Sequence, residues 1–97
     1  MSNSKLHVAE HDELFEAVLA LETIDDCYAF FEDLCTVKEI ISLAQRWQVA
    51  KLLRAGDSYD AIVEKTGAST ATVSRVKRSL VYGADGYHRV LDRLDKK

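Results

Sequence analysis

The 97-residue chain contains no proline, only four glycines and only two cysteines. Without proline or a glycine-rich stretch, nothing marks a flexible linker, so one domain is predicted over residues 1–97. No apolar run approaches the roughly 20 residues that span a bilayer, and the first residues lack the apolar segment of a signal peptide. We therefore expect a cytoplasmic protein with no membrane partner.

Metal and catalytic chemistry also find little support. Cys27 and Cys35 lie eight residues apart without a CxxC pattern, which favours reduced thiols packed in the core over a disulfide or a metal site. His7 and His11 have the spacing of one helical face, but no further ligand accompanies them, so a solvated pair is favoured. No acid–base cluster, nucleophile–base pair or phosphate-binding glycine loop occurs. We expect no metal, no cofactor and no catalytic residue.

Charge is distributed unevenly along the chain. The formal net charge is −3, yet residues 1–45 hold two basic and ten acidic residues, and residues 46–97 hold eleven basic and six acidic residues. A basic half can attract phosphate while an acidic half limits non-specific attraction. A solvated charged surface would give the same imbalance, so the charge only supports a nucleic-acid partner.

Helical periodicity runs from end to end and predicts an all-α fold. A first helix is expected over about residues 8–21, Thr23 is predicted to cap a second, and the capping box of Thr36 and Glu39 opens a long third helix. Apolar residues on nearly every side of the third helix predict that it is buried all round. The aromatic residues of the second helix indicate either an interface or core packing within one chain.

Residues 58–82 have the pattern of a helix-turn-helix. The first helix stops at Gly67, which tolerates the positive φ of a sharp corner; Ser69 is a natural N-cap for the second; and Val73 and Val76 turn inward. Short side chains and arginines remain on the outer face, where they can approach a DNA groove. The predicted DNA-binding residues are Ser69, Thr70, Ala71, Thr72, Ser74, Arg75, Lys77, Arg78, Lys65, Arg46 and Arg54.

Base edges are expected to meet Thr70, Ala71 and Ser74, with Arg75 or Arg78 nearby, and the remaining cations are expected to meet phosphate. Two simpler explanations stay open. The turn could only pack a helical bundle, and Arg46 could form an ion pair with an acid such as Glu39 or Asp57.

Five segments carry a family resemblance: residues 12–15 (DELF), residues 28–36 (YAFFEDLCT), Arg46 with residues 48–51 (QVAK), residues 67–80 (GASTATVSRVKRSL), and Tyr87 with residues 91–93 (LDR). They resemble the tryptophan repressor fold, and more closely the YerC/YecD family of Trp-repressor-related proteins. The resemblance implies a six-helix fold that forms an intertwined homodimer. Residues 8–57 would supply the dimerisation and central helices, residues 58–82 the helix-turn-helix, and residues 85–94 the C-terminal helix.

The same resemblance implies an effector pocket. Its counterparts here look like Thr36, Arg46, Arg75 and Ser79. The repressor has a glycine directly after its recognition-helix arginine, whereas this chain has Val76, whose side chain would fill the space of an indole. Tryptophan is therefore not the expected effector.

Taken together, these patterns predict a dimeric regulator of transcription, a repressor, that binds palindromic double-stranded DNA. Two other functions stay open. One is a small helical enzyme that binds a dianionic substrate through Arg46 and Arg75, and the other is a protein-interaction module whose acidic half is the working surface.

Overall fold

Six helices make up the fold in the computed structural model, which describes residues 7–96. They are α1 (Ala9–Leu19), α2 (Ile24–Leu34), α3 (Val37–Arg54), α4 (Tyr59–Thr66), α5 (Thr70–Tyr82) and α6 (Gly86–Asp95). No strand occurs between residues 7 and 96, so the all-α prediction is confirmed. The expected first and last helices differ from α1 and α6 by one or two residues at their ends. None of these six helices is long and apolar enough to cross a membrane.

Polar side chains start α2 and α3 as predicted. The Thr23 hydroxyl accepts a hydrogen bond of 3.0 Å from the amide of Asp26. At the start of α3, the Thr36 amide donates to the Glu39 carboxylate at 2.8 Å, and the Glu39 amide donates to the Thr36 hydroxyl at 3.1 Å. These bonds satisfy amides that have no partner inside the helix. Residues close together in sequence therefore fix both helix starts.

The chain divides into two compact units, and the first ends at Ile40. No residue of α1 or α2, which lie in this first unit, is buried. Large apolar side chains are exposed instead: Phe15 (60%), Leu19 (83%), Ile24 (75%) and Tyr28 (64%). Cys27 is exposed and Cys35 is partly buried, and both are free thiols. The core packing predicted for the thiols is wrong for Cys27, because its side chain is exposed within residues 7–96.

The second unit, from Ile41 onward, contains the core. The residues of its central cluster come from α3, α4, α5 and the turn between α4 and α5, and each is at most 2% exposed: Val49, Ala50, Ile62, Ala68, Val73 and Val76. Leu80 and Tyr87 pack against this cluster. The prediction that α3 is buried all round is wrong, because only its second half contributes to the core, and Ile41 and Leu43 are 61% and 46% exposed.

Gly83 ends α5 at a point of close backbone approach. A Cβ atom at this position would overlap the carbonyl oxygen of Ser79 and lie 3.1 Å from the carbonyl carbon and the Cα of that residue. We therefore expect Gly83→Ala to lower the free energy of unfolding by about 1–3 kcal/mol, the usual cost of overpacking. Urea unfolding followed by circular dichroism measures the change.

Gly86→Ala is the matched control for this steric prediction. A Cβ atom at Gly86, the first residue of α6, meets nothing within 4 Å. Alanine also has the higher helix propensity, so stability should stay the same or rise. Equal losses in the two variants would contradict the steric explanation.

Candidate nucleic-acid interface

The corner between α4 and α5 is held by backbone and side-chain hydrogen bonds. Gly67 takes a left-handed conformation with φ of 74°, as predicted, and its amide donates to the carbonyl of Val63 at 2.9 Å. The Thr66 hydroxyl donates to the carbonyl of Ile62 at 2.7 Å and accepts from the amide of Ala68 at 3.1 Å. Ala68 is only 2% exposed. The turn is therefore anchored in the core rather than free to move.

A side chain of α3 also supports this corner. Gln45 donates from Nε2 to the carbonyl of Thr66 at 3.2 Å. Thr66 is the last residue of α4, where helix carbonyls lack partners within the helix. The bond between Gln45 and Thr66 joins residues 21 positions apart, so helical periodicity does not predict it.

Ser69 caps α5 as predicted, because its hydroxyl accepts from the amide of Thr72 at 3.1 Å. The same hydroxyl donates to the Thr72 hydroxyl, also at 3.1 Å. A hydroxyl has one hydrogen to donate. The Ser69 hydroxyl donates its hydrogen to the Thr72 hydroxyl, so the Thr72 hydroxyl still has a hydrogen that it can donate to another acceptor. The cap fixes the first turn of α5. Both hydroxyls remain predicted DNA contacts.

The two faces of α5 differ sharply. Val73 and Val76 are buried, as the pattern predicted. Thr70, Ala71, Ser74, Arg75 and Arg78, predicted contacts on the other side, are all exposed. Lys77 is exposed as well, but it lies at the flank of that side, four residues after Val73. Every charged residue of α5 is a cation. Within residues 7–96, none of these three cations has an ion-pair partner. The outer face of α5 is therefore a positively charged surface open to solvent.

Two cations predicted for phosphate are engaged within the chain instead. Lys65 Nζ lies 2.8 Å from Asp57 Oδ2. Arg54 Nη2 pairs with Asp92 and lies 3.7 Å from Asp95 Oδ2. Phosphate binding by Arg54 or Lys65 stays a prediction, and it requires the exchange of a carboxylate for a phosphate.

The contacts of Arg54 extend from α3 through α6 to α5. Arg54 Nη1 donates to the main-chain carbonyl of His88 at 3.2 Å. The His88 ring nitrogen Nε2 lies 3.1 Å from the carbonyl oxygen of Leu80 in α5. A carbonyl can only accept, so the imidazole is the donor in this bond. Three helices are joined by these two hydrogen bonds.

The ion pair between Arg54 and Asp92 makes the stability of the fold depend on pH. The Arg54 guanidinium beside Asp92 holds the pKa of that carboxyl below its usual value of 3.8. A carboxyl whose folded pKa is depressed stabilises the fold above its unfolded pKa, and the contribution disappears as pH falls through the folded pKa. We therefore expect wild type to be more stable than Asp92→Asn near neutrality, and the difference to vanish below pH 3.8.

Urea unfolding at a series of pH values compares the two proteins. A difference in the free energy of unfolding that stays constant across the series would contradict the assignment of the pH dependence to Asp92. Asp25 of α2 is exposed and forms no ion pair within residues 7–96, so Asp25→Asn is the control for the loss of one negative charge.

The effector pocket that the resemblance implies stays a prediction. Ser79 lines a cavity of about 500 Å³ together with Trp47, Gly83, Ala84, Gly86, Tyr87 and Val90. Neither Arg46 nor Arg75 lines it, and Thr36 belongs to the first unit, where it caps α3. The rings of Trp47 and Tyr87 stack with centroids 6.2 Å apart. Helical periodicity relates residues within one helix, so it does not predict that Trp47 of α3 stacks on Tyr87 of α6.

Arg46 has an unusual environment for a charged side chain. Its Nε is buried and has no hydrogen-bond partner within residues 7–96. The alternative ion pair with Asp57 is not formed, because that carboxylate binds Lys65. The Glu39 carboxylate accepts the hydrogen bond that starts α3. Arg46 as a contact to phosphate or to an effector stays a prediction.

An all-α fold in which a glycine turn leads into an exposed cationic helix defines the class of this chain. The family model described as Trp repressor protein matches residues 9–95. The chain therefore belongs to the Trp repressor family.

Three relatives agree with this family. Uncharacterized protein YerC of Bacillus subtilis (strain 168) is 54% identical over 94 residues, which are 97% of this chain and 90% of YerC. The crystal structure of a TrpR-like protein from Eubacterium eligens ATCC 27750 matches with a TM-score of 0.92 and 57% identity, covering 96% of each chain. A candidate Trp repressor from Staphylococcus aureus matches with a TM-score of 0.93 and 55% identity, covering 100% of this chain and 97% of its own. The resemblance and the Trp-repressor-like fold are thereby confirmed.

Proposed function

We propose that this protein is a sequence-specific DNA-binding regulator of transcription that acts through the outer face of α5. The observation that carries the proposal is the exposed face itself, where three cations follow a capped first turn and have no carboxylate partner within residues 7–96. Positive charge supplies affinity for the phosphate backbone, while a helix with short side chains at its start can enter the major groove. Membership of the Trp repressor family supports the same function.

Direct base contacts are assigned to the first two turns of α5. Thr70, Ala71 and Ser74 are exposed there. A hydroxyl can donate to or accept from a base edge, and a methyl group can contact the methyl of thymine. Arg75, on the same exposed side, has the reach and the fork of donors for a guanine edge or a phosphate.

A homodimer is the second part of the proposal. The exposed apolar residues of α1 and α2 form a surface that water disfavours, and a second copy of the chain would cover it. Two copies of α5 related by a two-fold axis would read two half-sites about 34 Å apart, which is one turn of DNA. A palindromic target follows from the symmetry. Repression is the expected outcome of binding, in the cytoplasm.

The geometry gives less support to a dianion-binding enzyme. Such an enzyme would need Arg46 and Arg75 to close around one substrate. Arg75 is exposed on α5, and neither arginine lines the cavity beside Ser79. We favour the DNA-binding function for this reason.

Steric grounds argue against tryptophan as the effector. Val76 is 2% exposed and belongs to the core cluster. Its isopropyl group occupies the position where the repressor has a glycine. The proposal therefore includes DNA binding in the absence of tryptophan.

Selection of bound fragments from a random duplex DNA pool tests the function. We expect enrichment of a palindrome with half-sites one helical turn apart, and affinity that falls steeply with salt. The selection is repeated with each free amino acid to detect an effector. No enrichment in any condition, or binding that ignores salt, would overturn the proposal and would favour a protein-interaction module.

A further inference from the structure

Tyr82 is an exposed aromatic residue at the very end of α5. Its side chain is 80% exposed, although tyrosine carries a large apolar ring. The guanidinium carbon of Arg78, four residues earlier, lies 6.0 Å from the centre of this ring. A cation at this distance is attracted by the negative face of an aromatic ring.

Helical spacing places this pair on the proposed DNA-reading surface. Ala71, Ser74, Arg78 and Tyr82 follow one another at intervals of three or four residues, so they lie on one side of α5. All four are exposed, and the buried Val73 and Val76 lie on the opposite side. These four residues therefore form an exposed stripe that runs from the first turn of α5 to its last residue.

The length of this stripe exceeds the width of a DNA groove. At 1.5 Å per residue, Ala71 and Tyr82 are about 16 Å apart along the helix axis, whereas the major groove is about 12 Å wide. If the first turns of α5 enter the groove, its last turns lie beside the sugar-phosphate backbone. Arg78, about 10.5 Å from Ala71 along the same axis, would then lie near the edge of the groove, where its long side chain can reach a phosphate.

We propose that Tyr82 is a positioning residue for Arg78, whose guanidinium it holds on the outward face of α5 for contact with a backbone phosphate. The proposal deepens the DNA-binding function and rests on it. A free arginine side chain samples many rotamers and loses that freedom when it binds. The ring limits the rotamers beforehand, and a flat guanidinium stacks on a ring better than the compact ammonium of lysine does.

The test compares two substitutions at one position on the DNA selected by the wild-type full-length chain. Tyr82→Phe keeps the ring and Tyr82→Leu removes it, and each is made with Arg78 present and with Arg78→Ala. We expect Tyr82→Phe to bind like wild type. Tyr82→Leu should bind about two- to fivefold more weakly, as expected for an exposed cation–π contact. With Arg78→Ala, the change at position 82 should have no further effect.

The salt dependence of DNA affinity distinguishes positioning of Arg78 by Tyr82 from a general loss of structure. Arg78→Ala should reduce the slope of log affinity against log salt by about one, because one phosphate contact is lost. Tyr82→Leu should leave the slope unchanged, because Arg78 still reaches the phosphate. Circular dichroism of the variants shows whether the helices remain.

Each other outcome has a distinct meaning. A loss of affinity in Tyr82→Phe, or an equal loss with and without Arg78, would overturn the inference in favour of a direct contact by Tyr82. A Tyr82→Leu variant that binds like wild type would overturn it as well, while leaving the proposed function intact. A change in oligomeric state on sedimentation would overturn it too, because Tyr82 would then act in a subunit interface. Absence of DNA binding by wild type would overturn both proposals.

Discussion

Replacing Arg75 and Arg78 together with alanine should abolish retardation of the selected DNA fragment while the helices remain folded. Both side chains are exposed, and neither belongs to the core cluster. Each contact to a guanine edge or phosphate is worth about 1–3 kcal/mol. If the two contributions add, affinity falls by about 30-fold to more than 10⁴-fold. Gel retardation measures the loss, and circular dichroism reports the helical content.

A matched control shows whether DNA binding depends on where the two arginines lie or only on the net charge of the protein. Arg89 and Arg93 are also exposed arginines, but they lie on α6. Their double alanine variant changes the net charge equally, so it should retain most of the affinity for the fragment. Retained binding by the α5 variant would refute the assignment of the DNA-reading face. Equal losses in both variants would point to non-specific attraction.

Placing a carboxylate at Phe15 should separate the proposed dimer into monomers. The Phe15 ring is 60% exposed on α1, in a unit where neither α1 nor α2 has a buried residue. In a dimer, Phe15→Asp would bury an unpaired charge, which costs about 3–5 kcal/mol. The dimer dissociation constant should rise by at least about 10²–10³-fold. Sedimentation at several protein concentrations measures that constant.

Phe15→Leu serves as the control, because it keeps an apolar side chain at the same position. This variant should remain a dimer. DNA binding should fall in Phe15→Asp although α5 is unchanged, because only one half-site can be held at a time. A wild-type chain that sediments as a monomer would contradict the dimer proposal itself.

The helix starts of this fold were predictable because their signals are local. Thr36 and Glu39 are three residues apart, and so are Ser69 and Thr72. Each helix cap is therefore predictable from residues close together in sequence. The positive φ of Gly67 follows from the same kind of rule. Burial was harder to predict. Ile41 and Leu43 near the start of α3 look like core in sequence, yet their side chains are 61% and 46% exposed.

The candidate site was predictable to the same extent. The exposed side of α5 follows from its 3.6-residue period, since the inward valines define the outward face. The partners of Arg54 and Lys65 do not follow from any period, because Asp92 is 38 residues away and Asp57 precedes the helix that holds Lys65. Tyr82 was missed because the pattern marks a residue as outward without showing which neighbour it touches.

The hydrogen bond from His88 to the carbonyl of Leu80 bears on how α5 behaves in solution. The first turn of α5 is fixed by Ser69, and the far end is tied through Leu80 to α6 and from there to α3. A helix that is held at both ends frays little, so α5 would lose little backbone entropy on binding DNA. Amide protons from Val73 to Gly83 should accordingly exchange with solvent at similar, slow rates, whether or not DNA is present.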